Sequence, residues 1–119
     1  MLDLDAGDLP SARRGMDAAM DHLSAAGDLR AQAALSIDHA HLEILSGRLD
    51  LARDRLDHAE ATLAGLEDRL ELARACAERA RLDRARGADP APAIARAREL
   101  IAGAGLGPES PIGRAIDSA

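Results

Sequence analysis

Apolar residues recur every three or four positions through most of the chain. Equivalent offsets after Gly7 and Gly47 carry Leu9, Ala12, Met16, Ala19 and Leu23, and Leu49, Ala52, Leu56, Ala59 and Leu63. This spacing is typical of one face of an amphipathic helix. The pattern predicts helices over 8–26, 29–46, 49–65, 68–86 and 90–103, followed by a short helical segment at 110–117.

Glycine, aspartate and proline mark the expected helix boundaries. Glycine ends helices because it adopts the left-handed conformation at little cost, aspartate caps N-termini, and proline fits the first turn. The predicted ends are Gly27, Gly47, Gly65, Gly87 and Gly103, the predicted N-caps are Asp8, Asp28 and Asp89, and the predicted first-turn prolines are Pro10, Pro90 and Pro111.

The same pattern repeats with a period of 40 residues. Gly7, Gly47 and Gly87 are 40 residues apart, and the apolar positions around them agree. The agreement breaks at Arg84, and after Gly87 it continues with one extra residue. We therefore predict a single helical domain over 1–119. It consists of a partial repeat (1–27), two full repeats (28–66 and 67–106) and a C-terminal cap or tail (107–119).

Two turns of this repeat resemble those of the tetratricopeptide family. Residues 7–12 (Gly-Asp-Leu-Pro-Ser-Ala) and 47–52 (Gly-Arg-Leu-Asp-Leu-Ala) are similar to its Gly-Asp-x-x-x-Ala turn. Ala40, Ala52 and Ala59 match its small residues at helix crossings. HEAT-like repeats also have periods near 40, but the Gly-x-Leu-x-x-Ala turn favours the tetratricopeptide family.

The chain also departs from the family pattern. The family's large aromatic positions hold Ser36, Glu43 and Leu56, and the period is longer than the usual value of about 34. In this it resembles the repeats of large bacterial transcriptional activators of the maltose-regulator kind. The resemblance implies an all-α, tetratricopeptide-like solenoid fragment with about five antiparallel helices and a short C-terminal helix.

The N-terminal residues align with the end of a first helix rather than with its beginning. Residues 1–7 match residues 41–47, so only a stub of the preceding helix is expected. We infer a piece of a longer protein or the product of a relic gene. The alternative is a natural start with a frayed N-terminus.

Composition supports a helical binding module and argues against other classes. The chain has no Phe, Tyr or Trp and a net charge of −6, which argues against binding to nucleic acids. No apolar run approaches the length of a membrane span, and no signal peptide is evident. Cys76 is the only cysteine, which fits a reducing, cytoplasmic location.

No residue set predicts an enzyme, a cofactor or a metal site. His39 and His41 are two residues apart, which places them about 200° apart on a helix and unsuited to sharing a metal ion. Cys76 lies at the position equivalent to Ser36, where a small buried residue is the expected role.

The expected ligand groove lies on the first helices of the repeats. Arg74, Arg81 and Arg84 are predicted to line it, at the positions that Ala34, His41 and Ile44 occupy in the preceding repeat. A groove with His41 and these arginines would suit an acidic peptide or a C-terminal carboxylate. The alternative is a solvated helix face with Glu71, Glu78 and Asp83 as ion-pair partners.

A second candidate surface is the predicted helix 8–26. Its apolar residues would lose the cover of the missing helix, so a homodimer through this helix is expected, with a self-sufficient monomer as the alternative. The candidate contact residues are Leu9, Met16, Met20 and Leu23. The leading function is a protein–protein interaction scaffold in a bacterial signalling or regulatory protein. The alternatives are a self-assembling helical bundle and, with less support, a sensor that binds a small effector.

Overall fold

The fold consists of helices joined by short turns, as the periodicity predicts. The structure is a computed structural model and describes residues 9–119. Its helices are α1 (Leu9–Ala26), α2 (Leu29–Leu45), α3 (Leu49–Gly65), α4 (Arg69–Ala85), α5 (Ala91–Gly103) and α6 (Pro111–Asp117). The all-α prediction is confirmed, since no strand occurs in this range, and the predicted helix bounds that fall within it agree to one residue. The predicted cap Asp8 lies outside the described residues.

Each of the first five helices ends in the same kind of turn. One residue takes a left-handed conformation, with φ between 56° and 79°, at Gly27, Gly47, Glu67, Gly87 and Gly105. At each turn, the next amide bonds back to the last helical turn, as from Arg48 to the carbonyl of Glu43 at 2.9 Å. These bonds define Schellman motifs. The first four left-handed positions are 20 residues apart, so each helix–turn unit is half of the 40-residue period.

At two of the predicted terminating glycines, the left-handed residue lies two positions later in the sequence. Gly65 and Gly103 lie in the last turns of α3 and α5, and the left-handed residues are Glu67 and Gly105. The 20-residue spacing explains the first case, because Glu67 occupies the place that glycine takes in the neighbouring turns. A non-glycine residue there carries a steric cost of about 1–2 kcal/mol.

Aspartates cap α2 and α4, but α3 has no such cap. Asp28 accepts a hydrogen bond from the Ala31 amide at 3.0 Å, and Asp68 accepts one from the Glu71 amide at 3.1 Å. The N-cap of α3 is Arg48, whose side chain makes no capping bond. Pro90 precedes α5 instead of lying within it, and Asp89 accepts a hydrogen bond from the Ala91 amide at 3.0 Å.

Consecutive helices pack against each other, and one further contact brings α2 against α4. The α6 helix packs on both α4 and α5. The main core joins α2, α3 and α4, and a second cluster joins α4, α5 and α6. The alanines expected at helix crossings, Ala40, Ala52 and Ala59, are fully buried, and so is Ala80, which lies 40 residues after Ala40. Small side chains let the helices approach closely, which compensates for the absence of aromatic residues. Within residues 9–119, no helix is both long and apolar enough to cross a lipid bilayer.

Candidate functional site on the face formed by α2 and α4

The contact between α2 and α4 creates a continuous surface, here called the α2–α4 face. It is formed by residues at helical spacing on each helix: Ala31, Ala34, Asp38 and His41 on α2, and Glu71, Arg74, Glu78 and Arg81 on α4. Positions 40 residues apart therefore lie on neighbouring helices. The repeat alignment predicts this pairing of Ala34 with Arg74 and of His41 with Arg81.

Arg74 ties the two helices together. Its Nη1 lies 2.8 Å from Oδ1 of Asp38, its Nη2 donates to the Ala34 carbonyl at 3.0 Å, and its Nε donates to Glu71 at 3.0 Å. A guanidinium can satisfy three acceptors in this way because its donors form a rigid planar fork. The charge predicted to meet a ligand is thus used within the chain.

A second group of charges lies farther along the same face. Nδ1 of His41 is 3.0 Å from Oε1 of Glu78, and Arg81 donates to the same oxygen at 2.6 Å. Glu78 is buried, whereas His41 and Arg81 are half-buried. The hydrogen bond to Glu78 raises the pKa of His41 above its ordinary value of 6.5, although burial opposes this shift.

The predicted basic groove is therefore corrected. Arg74 and Arg81 are paired with Glu71 and Glu78, as in the alternative interpretation, and Asp38 and His41 of α2 add to these pairs. Arg84 is exposed and makes no ion pair with any described residue. The face is a mixed-charge surface, because each of its two paired arginines has a carboxylate within 3.0 Å.

The N-terminal half of this face contains an open groove. Its volume is about 400 Å³, and it is lined by Asp28, Arg30, Ala31, Ala34, Asp68, Leu70 and Glu71. The two alanines leave space between the helices. Leu70 is 45% exposed in the groove, and Leu29, next to Arg30 in sequence, is 56% exposed. These are two of the four large hydrophobic residues that the described chain exposes.

Buried charges on the opposite side of α2 were missed by the sequence analysis. His39 and Glu43 are almost fully buried, with Nε2 of His39 3.3 Å from Asp17 and Oε1 of Glu43 3.0 Å from Nη1 of Arg13. Among the described residues, no well-directed hydrogen bond reaches either Glu43 oxygen or either ring nitrogen of His39. Glu43 fills a position where the tetratricopeptide pattern has a large side chain, and that departure was the available signal.

The self-association candidates are only partly available to a partner. Met16 is buried against Leu42 of α2, so the expectation that its side chain is uncovered is wrong. Met20 and Leu23 are half-buried, and the side chain of Leu9 lies outside the described residues. The homodimer stays a prediction, and it now rests on Met20 and Leu23.

Cys76 is placed as expected. It is buried among Ala73, Ala77 and Ala97 in the second cluster, and this burial raises the pKa of its thiol. Within the described range, no group of three or more His, Cys, Asp or Glu side chains is arranged to hold a metal ion. Comparisons with protein-family models, curated proteins and solved structures give no match to the chain.

Proposed function

We propose that this chain is a protein–protein interaction module and that a segment of a partner protein binds along the α2–α4 face. The observation that carries the proposal is the groove at its N-terminal half, where Leu70 is exposed beside the small side chains of Ala31 and Ala34. An apolar side chain of the partner would fill the space between the helices and cover Leu70. Burial of such a side chain contributes about 1.5–3 kcal/mol.

The charged half of the face would fix the position of the partner segment along the helices rather than add much to its affinity. Asp38, Arg74, Glu78 and Arg81 are already paired, so a long run of acidic residues would gain little from them. A partner with one carboxylate placed near exposed Arg84 fits better. Charges arranged in this way discriminate among partners more than they raise affinity. The expected acidic ligand is thus refined to an apolar anchor followed by a single acid.

A repeat architecture supports this assignment. The 20-residue spacing of the left-handed turns and the contact of α2 with both α3 and α4 are features that stacked helical hairpins produce. We further propose that the hairpins are tetratricopeptide-like and belong to a larger bacterial regulatory protein of the cytoplasm. The resemblance of residues 47–52 to the family's turn supports this part.

Selection from a displayed peptide library on the immobilised protein tests the proposal. We expect binders with an apolar residue at a fixed position, and we expect Leu70→Ser and Ala34→Gln to weaken them at least about tenfold, the equivalent of about 1.4 kcal/mol. The matched control is Leu51→Ser, because Leu51 is 42% exposed on α3 and lies outside the groove. Calorimetric titration of each variant with one selected peptide gives the affinities.

Two results would contradict the proposal. The first is a set of binders that respond equally to Leu70→Ser and Leu51→Ser, which would show adhesion to exposed leucines in general. The second is binding that Ala34→Gln leaves unchanged, since a longer side chain at position 34 fills the groove. Thermal unfolding of each variant shows whether the effects come from loss of the fold.

A further inference from the structure

We infer that a cavity lined by Arg13, Arg14 and Arg48 is a binding site for a phosphate monoester. The cavity has a volume of about 290 Å³ and lies between α1 and the turn that joins α2 to α3. Within the described part of the chain, Pro10 and Ser46 also line it. This site is separate from the α2–α4 face, because none of its residues line the groove there.

The concentration of positive charge is unusual for this chain. Residues 1–60 contain twelve acidic residues and six arginines, and three of those six line this one cavity. Among the residues that the structure describes, Arg14 donates to the neutral hydroxyl of Ser11, at 3.2 Å, and to no carboxylate. Arg48 makes no ion pair with any residue of the described range, and Asp50, in the first turn of α3, does not line the cavity.

Arg13 is held in place by a carboxylate on the core side of the cavity. Its Nη1 lies 3.0 Å from the buried carboxylate of Glu43, so one edge of the guanidinium faces the core while the residue lines the cavity. A guanidinium has five donors, and a carboxylate on one edge leaves others for a ligand. Glu43 is a positioning residue in this arrangement.

Arg48 is placed where positive charge is unfavourable for its helix. Arg48 is the N-cap of α3, a position that aspartate occupies in α2 and α4. The N-terminus of a helix carries a partial positive charge, which repels a cation and attracts an anion. A bound anion would relieve this repulsion at α3.

The balance of charge selects the ligand. Among the described residues, three arginines and the carboxylate of Glu43 give a net charge of +2 around the cavity. A phosphate monoester carries about −1.5 to −2 at neutral pH and offers several acceptor oxygens, which match forked guanidinium donors. A monocarboxylate would leave one arginine without a partner. The hydroxyl of Ser46 already donates its proton to the Leu42 carbonyl at 2.9 Å. The side-chain donors that the described lining offers to a ligand are therefore the arginines.

Titration of the full chain with phenyl phosphate and with inorganic phosphate, in a phosphate-free buffer of low ionic strength, tests the inference. We expect saturable binding that the double variant Arg14→Gln/Arg48→Gln weakens at least about tenfold, since loss of charge-assisted hydrogen bonds has effects of this size. Tighter binding of phenyl phosphate assigns the site to a monoester. Tighter binding of inorganic phosphate assigns the same chemistry to the free ion and overturns the ester.

The matched control is Arg86→Gln/Arg96→Gln, which removes the same charge from two exposed arginines elsewhere. We expect it to change the affinity less than about twofold, as for charges outside a site. Equal weakening by the two double variants would mean diffuse attraction and would overturn the site, as would an absence of binding. Arg14→Lys/Arg48→Lys should give an intermediate loss, because lysine keeps the charge but not the fork. Full recovery with lysine would rule out the forked geometry.

Discussion

His39 and His41 lie on the two sides of α2, only two residues apart, and their pKa values are shifted in opposite directions. His39 faces α1, is 1% exposed, and has Nε2 3.3 Å from the carboxylate of Asp17. His41 faces α4, has a side chain that is 34% exposed, and binds Glu78 at 3.0 Å. Burial first, and then the charge of Arg55, lower the pKa of His39. The hydrogen bond to Glu78 raises the pKa of His41.

This contrast shows that partners from other helices, rather than local sequence, set the behaviour of each side. On the α1 side, the buried Glu43 and His39 lack well-directed hydrogen bonds from the described residues, so charge is held there at a cost. On the α4 side, the charges form two hydrogen-bonded groups, one around Arg74 and one around Glu78, at the edge of solvent. The first arrangement should be sensitive to the loss of one partner, and the second should tolerate it.

The largest expected effect follows from removing Arg13. Arg13→Met should lower the free energy of unfolding by about 3 kcal/mol, because it leaves the carboxylate of Glu43 buried without its cation. On the other side of α2, Arg81→Met should cost less than about 1 kcal/mol, since the buried Glu78 keeps His41 as a partner at 3.0 Å and solvent screens the half-buried Arg81. Urea denaturation of both variants gives the comparison.

Glu43→Met is the control for this difference. It removes the buried charge itself, and it should be much less destabilising than Arg13→Met or even stabilising. If Glu43→Met and Arg13→Met cost the same, the penalty comes from lost packing, and the proposed difference between the two sides is wrong.

The next effect concerns how closely α3 covers the core side of α2. Ala59 is fully buried in the cluster that contains Ala33, Ile37 and Ala40, so Ala59→Leu should cost about 1–3 kcal/mol by overpacking. Ala88 is exposed in the turn before α5, and Ala88→Leu should cost less than about 0.5 kcal/mol. Equal shifts in melting temperature would refute the repeat alignment that placed Ala59 at a crossing.

Most of the fold could be predicted from the periodicity of the apolar residues. Helix bounds were predictable because the apolar residues recur at a spacing of three or four, and the turns are short. The prediction of Gly65 as a terminating residue was wrong because glycine was taken as the only left-handed residue, whereas at Gly103 the wrong one of two neighbouring glycines was chosen. The 20-residue interval, which runs from Gly47 to Glu67 and on to Gly87, was visible in the sequence and was the better guide.

The candidate site was predictable only in its local part. The pairing of Arg74 with Glu71 and of Arg81 with Glu78 follows from a spacing of three residues on one helix. The bond from Arg74 to Asp38 joins residues 36 apart in sequence, and its formation depends on how α2 meets α4. The same limit hid the pair of Arg13 and Glu43, which needs the packing of α1 on α2.

A smaller effect is expected at the turns before and after α3. The turn from α2 to α3 uses Gly47, whereas the turn from α3 to α4 places Glu67 at φ 56°. Glu67→Gly should relieve this strain and stabilise the chain by up to about 1 kcal/mol, because the relief exceeds the entropy that glycine adds to the unfolded state. Thermal unfolding of the variant measures the difference.

Gly47→Ala and Gly65→Ala provide the matching controls. Gly47→Ala should be destabilising, since alanine at φ 76° is strained. Gly65 lies within α3 and an added Cβ would meet no atom within 4 Å, so Gly65→Ala should stabilise by about 0.5–1 kcal/mol. Destabilisation by Glu67→Gly would show that the glutamate side chain makes a contribution larger than the backbone strain.

The smallest effect is the dependence of stability on pH, and the two histidines should act in opposite directions. The pKa of His39 is lowered, so just below pH 6.5 the unfolded chain holds a proton that the folded chain lacks, and stability falls as the pH drops through this window. The pKa of His41 is raised, so its contribution to stability is complete below pH 6.5 and is lost as the pH rises through the pKa of the folded state.

Urea midpoints measured between about pH 5 and 8 for variants of the two histidines should therefore separate their contributions. His39→Gln should remove the loss of stability on the acidic side, and His41→Gln should remove the loss on the alkaline side. The second change should be the weaker because solvent screens the half-exposed pair of His41 and Glu78. Equal slopes in the two variants would mean that the two sides of α2 do not differ electrostatically, which is the core of the comparison.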